Sequence, residues 1–423
     1  MTRTVEQREG EPTRLLDLTA SQRSLSLFRV VLYSVFAAEM VGLVAAGEAA
    51  INGRWPLALP LVALVGSVAA IVGFRIRAAA VTVFIALKLL QGHLWAWYEV
   101  DWVMELFSLL FCFAPRSTVW SLDSRGAPRD EQVPAPFVLA VATVLGVIYL
   151  DATVTKLRSE IWVNGSAVWM ASFLPHVSER RLPSWLEVQP VLAVLTWVTL
   201  AYEALFPAIL LRATRKVMVV LGIGLHLAIA ALTPLPYFGL IMCAPLLLFM
   251  PVAHGARPPF SAQPRLGLAT VTYCLLVVIA FAHMKTHDDQ RGLLTSALGV
   301  HPTGVYADAM FTVARPITRL VLVTPTHSEE LPSFDADGYP TTSNRWWKIQ
   351  AFFTRTRSDG EAMLLRYITQ FADRCDRAPC EVILYTKGVQ LDRLGFDASA
   401  ADELRSRPWV ESDRIQLHLP ALR

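Results

Sequence analysis

Apolar runs of membrane-spanning length recur from Leu27 to His283 and constrain this 423-residue chain more than any other feature. A helix needs about 20 mostly apolar residues to cross a hydrocarbon core of about 30 Å, where unpaired backbone polar groups are too costly to leave. Nine such spans are read near 26–48, 57–74, 78–97, 102–115, 135–155, 190–211, 217–233, 236–251 and 266–283. The fourth is short enough to be a tilted or partial crossing. With 54% hydrophobic residues, the chain is expected to be mainly α, a polytopic transmembrane helical bundle of about nine spans.

Orientation follows from the basic residues. Taken with the N-terminus inside, the cytoplasmic segments hold Arg3, Arg8, Arg14 and Arg23, then Arg75 and Arg77, Arg116, Arg125 and Arg129, Arg212, Arg215 and Lys216, and Arg257 and Arg265. Three of the four outer connections carry Arg54 alone; the fourth, 156–189, holds Lys156, Arg158, Arg180 and Arg181. That asymmetry puts the polar tail 1–25, which has no cleavable signal pattern, in the cytoplasm and everything after the ninth span outside. The lipid bilayer is therefore the first expected partner. The net charge of +3 gives no nucleic-acid signal.

Past the transmembrane part, 26–283, the composition turns polar, and 284–423 reads as a small α+β extracytoplasmic domain. Glu381–Thr386 has the pattern of a strand. Met363, Leu364, Tyr367, Ile368 and Phe371 have helical spacing over Glu361–Ala372, and Asp337-Gly338 marks a turn. Cys375 and Cys380 fall in this domain, where either a local disulfide or a free thiol pair is compatible with their spacing. No zinc partners accompany them, and no metal site is expected. Cys112, Cys243 and Cys274 lie within spans and read as packing residues.

No P-loop, dinucleotide fingerprint, HExxH or nucleophile elbow is present, so any chemistry must come from ionisable groups in the spans. These are few: Lys88, His93, Glu105, Asp151, Lys156, Glu203 and His226. Each charge placed mid-membrane costs about 2.5–3.5 kcal/mol, so each is expected to face a partner or a wet cavity. Lys88 is expected to pair with a carboxylate such as Glu105. Glu203 can satisfy backbone groups ahead of Pro207 or pair with a basic side chain, and His226, among Gly222, Gly224 and Ala228, can serve as an inter-helix hydrogen-bonding residue. Tyr149, Thr153 and Lys156 share one helix face at i, i+4 and i+7. A lysine at a membrane boundary can snorkel into water, whereas one held in a dry cavity can serve as a base.

The segment Tyr149–Met170, with Lys156-Leu157, Trp162, Gly165 and Ser166, resembles the lysine-bearing motif of the vitamin K-dependent γ-carboxylases and their bacterial relatives, the horizontally transferred transmembrane (HTTM) domain family. Trp120-Ser-Leu-Asp123, Glu203-Ala-Leu-Phe-Pro207 leading to Gly224-Leu-His226, and Tyr237–Pro245 agree in order and spacing, and the resemblance is read over roughly residues 20–325. It implies a neutral Lys156 acting as a base on a reduced naphthoquinone, with Tyr149, Thr153, Trp162, Gly165, Glu203 and His226 around the same slot. It further implies a lyase of carboxylase type acting on a peptide or small protein at a bacterial cell membrane. Where the carboxylases carry an Asn-His pair before the fourth span, this chain reads Tyr98-Glu-Val-Asp-Trp-Val-Met-Glu105. Two other functions fit the same motifs: maturation of a secreted peptide toxin, and a non-enzymatic membrane binding or assembly role.

Overall fold

A computed structural model of the chain describes residues 18, 20–46, 57–91, 99–115, 119–124, 132–174, 184–233, 235–250, 264–287, 315–331, 368, 371, 375, 380–389, 402–403 and 405–417. Among the described residues eleven α-helices come first: α1 Gln22–Ala46, α2 Ala58–Val72, α3 Ile76–Gln91, α4 Glu99–Phe111, α5 Ala135–Leu157, α6 Glu160–Val163, α7 Ala167–Phe173, α8 Gln189–Ala204, α9 Arg215–Leu232, α10 Pro236–Leu246 and α11 Pro264–His287. Four strands follow: β1 Arg315–Val323, β2 Ser328–Glu330, β3 Cys380–Val389 and β4 Val410–Leu417.

The expected count of nine spans is corrected. Among the described residues three helical stretches, Gln22–Ala45, Ala135–Leu157 and Arg215–Leu232, are long and apolar enough to cross a membrane. The other apolar runs are longer in sequence than in helix. α2 stops after 15 residues at Gly73, whose φ of 71° ends it, and a helix of that length rises only about 22 Å. The sixth run is cut after Ala204, where Phe206–Leu210, containing Pro207, tightens into a 3-10 turn. The eighth is divided between α10, with Pro245 inside it, and a 3-10 turn over Leu247–Phe249. Helix α1 begins at Gln22, ahead of the expected first span. Ser21 accepts the backbone N–H of Ser24 at 2.9 Å, a cap that starts α1 inside the segment assigned to the tail. α11 likewise runs on to His287.

The helices pack sequentially as α1–α2, α2–α3 and α3–α4, and α1 also receives α10, while α5 sits between α8 and α11. Aromatic rings join α1, α4 and α5: Phe28 lies 5.4 Å from Phe107 edge-on, and Phe111 bridges to Phe137 at 5.9 Å. Lys88 of α3 meets Glu105 of α4 at 2.6 Å, the expected pairing. His93, Tyr98 and the Asp337-Gly338 turn lie outside the described residues.

The motif Trp120–Asp123 ties the α4–α5 connection to the α2–α3 turn. Arg29, fully buried in α1, donates to the Trp120 carbonyl at 2.7 Å, and Asp123 accepts the Arg75 N–H at 2.6 Å. Ser121 donates to the Gly73 carbonyl and packs so tightly on Gly73 that an added Cβ would come within 2.6 Å of the Ser121 backbone.

The strands form one antiparallel sheet in the order β2-β1-β3-β4, with Leu320 opposite Leu384 and Leu322 opposite Val382. The expected strand at Glu381–Thr386 lies inside β3. Of the expected helix over Glu361–Ala372, only Ile368 and Phe371 are described, and both join the sheet's apolar core. Cys375 and Cys380 are joined as a disulfide with Cα atoms 5.7 Å apart, inside the usual range. β4 is polar and exposed along most of its length. Arg414 anchors it to Glu381 at 2.9 Å and holds Glu411 below the usual carboxylate range by hydrogen bonding.

Gly73→Ala is expected to combine a left-handed backbone cost of about 1–3 kcal/mol with the Ser121 clash. Thermal unfolding of purified protein in detergent should show a lowered midpoint; an unchanged midpoint would mean that the Trp120–Asp123 contact does not hold this corner.

Candidate functional site

A cavity of about 500 Å³ lies among α5, α7, α8, α9 and α10, and its walls are almost wholly apolar. Local structure explains why it exists. α5 ends after Lys156, and the chain then makes two short helices separated by Gly165 at a φ of 86°. At that corner an added Cβ would lie 3.1 Å from Trp197 and 3.2 Å from Ala193, so a larger residue would push α6 and α7 away from α8. Two hydrogen bonds fix the same corner. Trp197 donates from Nε1 to the Val163 carbonyl at 3.2 Å, and the Val168 N–H donates to Thr196 Oγ1 at 3.1 Å. The described parts of this connection, 156–174 and 184–189, pack against the helices; Trp169, fully buried in α7, donates from Nε1 to Glu187 at 2.6 Å.

Two polar pairs line the cavity. Lys156 of α5 forms an ion pair with Glu203 of α8, and their side chains are only 12% and 6% exposed. The Lys156 ammonium also lies 4.4 Å from the centre of the Trp162 ring, a cation–π contact supplied by α6. Tyr149, two turns earlier on α5, shares a 2.7 Å hydrogen bond with Nε2 of His226 on α9. The Tyr149 ring packs on Phe206 at 4.5 Å and edge-on to Tyr202 at 5.6 Å, which holds its hydroxyl toward His226. A buried ion pair of this kind is sustained by mutual attraction in a low-dielectric site, and its members cannot be separated cheaply.

Of the residues singled out in the sequence, Tyr149, Lys156, Trp162, Glu203 and His226 line this cavity together. Thr153 and Gly165 do not. Thr153, between Tyr149 and Lys156 on α5, is buried but not part of the lining, and Gly165 acts through the α6–α7 corner. Lys156 pairs with Glu203, fourteen residues along α8 from its start at Gln189, and faces the cavity. The sequence reading missed Tyr202 and, from α10, Phe238 and Met242. A polar Tyr202-Glu203 doublet in an apolar run was the signal for the first; the α10 residues look like ordinary core. α4, which carries Glu99–Glu105 of the segment that stands in place of an Asn-His pair, contributes nothing to the lining.

An HTTM domain model matches residues 43–253. The chain belongs to the HTTM domain family through these residues. The match is narrower than the 20–325 resemblance, yet this HTTM domain contains the whole cavity and both polar pairs. No curated protein and no solved structure matches the chain. Its HTTM domain and apolar helices fit an integral membrane protein related to the carboxylases.

Glu203→Leu would leave the Lys156 ammonium buried without its carboxylate, and is expected to cost about 3–5 kcal/mol. Lys156→Met combined with Glu203→Leu should restore most of that loss. Unfolding midpoints of the two single variants and the double variant in detergent measure the coupling, and simply additive losses would show that the two groups do not depend on each other.

Proposed function

We propose that the HTTM domain binds a reduced naphthoquinone in this cavity and uses Lys156 as the base that takes its hydroxyl proton, in the service of modifying a peptide or small protein. The observation that carries this reading is the convergence of Lys156–Glu203 and Tyr149–His226 on one apolar cavity. The residues suit such a ligand: Trp162 and Phe238 offer flat apolar surfaces, and the volume accommodates a fused two-ring head. When bound, the quinol would supply the oxygen-dependent chemistry that yields a base strong enough to act on a peptide glutamate, as the resemblance to the carboxylases implies.

The chain's own part is proton handling. Lys156 and Glu203 can exist as ammonium and carboxylate or, with one proton moved across, as amine and carboxylic acid. Neither form changes the net charge of the cavity, so the amine can be freed without creating an isolated charge in an apolar medium. His226 fixes the Tyr149 hydroxyl at the cavity wall, and the Trp162 ring lies against the Lys156 ammonium.

The charge asymmetry supports a cytoplasmic N-terminus and a C-terminal sheet domain outside, and a Cys375–Cys380 disulfide suits an oxidising compartment. In this reading residues 1–25, 26–283 and 284–423 are the tail, the membrane domain and the outer domain, and the outer domain meets the peptide substrate. The segment Tyr98–Glu105, standing where the carboxylases carry an Asn-His pair, favours a second reading, in which the domain helps to mature a secreted peptide toxin without capture of carbon dioxide.

Lys156→Arg keeps charge, stem and ion pair but cannot release a proton at neutral pH. Oxidation of reduced naphthoquinone by the purified protein should fall by about a hundredfold or more, with the unfolding midpoint close to that of the wild type. Full oxidation by Lys156→Arg would remove Lys156 from the chemistry.

A further inference from the structure

The cavity is open on one side. Leu195 and Val198 of α8 and Val220 and Leu221 of α9 line it, yet these four are 44% to 62% exposed, so the side chains that wall the cavity also form the outer surface of the bundle. Gly224 lies among them on α9. It lines the cavity, and a Cβ built on it would meet no atom within 4 Å. Ala228, one turn further on, is also small, exposed and part of the lining. α8 and α9 also contact each other directly, so the gap lies in the seam between two touching helices.

We propose that the cavity is entered sideways from the bilayer, through a slot between α8 and α9 whose width Gly224 sets, by a membrane-resident amphiphile bearing a single hydrocarbon or prenyl chain. The walls carry the argument. They are apolar from the lipid-facing lip at Val198 and Val220 inward, and the first charged groups met are Lys156 and Glu203. A ligand dissolved in the bilayer would keep its chain in apolar surroundings along the whole route and bring only its polar head to the ion pair. A polar ligand arriving from water would have no such path. A two-chain lipid would need α8 and α9 to separate where they now touch.

This inference rests on the cavity being a ligand site and is independent of Lys156 acting as a base. The test is photolabelling of the full chain in phosphatidylcholine vesicles with a hexadecanol carrying a mid-chain diazirine. Adducts are expected at inner positions such as Ala152, Ala171 and Leu225. Gly224→Phe should reduce them about tenfold, while Gly42→Phe, at a glycine on α1 that also has open space around it, should leave them unchanged. Ala228→Leu is a second, gentler block should Gly224→Phe fail to insert. Labelling confined to outward residues such as Val191 and Val194, or inner labelling unchanged by both blocking variants, would overturn the slot. Lys156→Arg should keep the inner adducts, so failure of the base and failure of the slot would appear in different variants.

Discussion

The Lys156–Glu203 ion pair makes sense only if the helices around it are broken where they are. Opposite charges in an apolar cavity hold each other, and neither can be left without the other. Lys156 reaches Glu203 because α5 stops at Leu157 and the next segment folds back as α6 and α7 instead of leaving for solvent. Gly165 permits the turn, and α8 then delivers Glu203 at its far end, just ahead of the 3-10 turn containing Pro207. A continuous set of long straight spans would have left the lysine at the rim. The short helices that lower the span count are the same features that build the cavity.

The second polar pair gives the cavity its other face. Tyr149 sits on α5 two turns from Lys156, and its hydrogen bond to His226 ties α5 to α9 across the space that the amine borders. Aromatic packing from Phe206 and Tyr202 limits where the hydroxyl can point. The lining thus presents charge at one place, a neutral hydrogen-bonded pair at another, and apolar surface between them and the gap at Gly224. Such a surface selects for an apolar body with a small polar head, which is the common ground of the proposed chemistry and the proposed route of entry.

Much of this was legible in the sequence, for reasons that can be named. Ionisable residues are so expensive in apolar spans that their mere presence marked Lys88, Glu105, Lys156, Glu203 and His226 as residues needing partners. Lys88–Glu105 could even be paired in advance. Partner choice for Lys156 could not, because it depends on how far α6 and α7 extend before the chain turns. The i, i+4, i+7 face groups Tyr149, Thr153 and Lys156; Tyr149 and Lys156 reach the cavity, while Thr153 is buried beside them without lining it. Span count was overread because apolar composition continues through Gly73, Pro207 and Pro245, where the helix does not. In the sheet, β3 was visible as an apolar strand, while β4 was hidden by its charges: Glu411, Asp413 and Arg414 belong to an exposed edge held by ion pairs across and along the strand.

The central claim is that the cavity around Lys156 and Glu203 is built to receive a reduced naphthoquinone. The most direct measurement is the unfolding midpoint of the detergent-solubilised protein with and without a reduced, prenylated naphthoquinone kept under anaerobic conditions. Binding at a hundred times the dissociation constant stabilises a protein by about 2.7 kcal/mol. The account predicts a midpoint raised by several degrees in the wild type and a much smaller rise in Gly224→Phe. An unchanged wild-type midpoint at saturating quinol would contradict it.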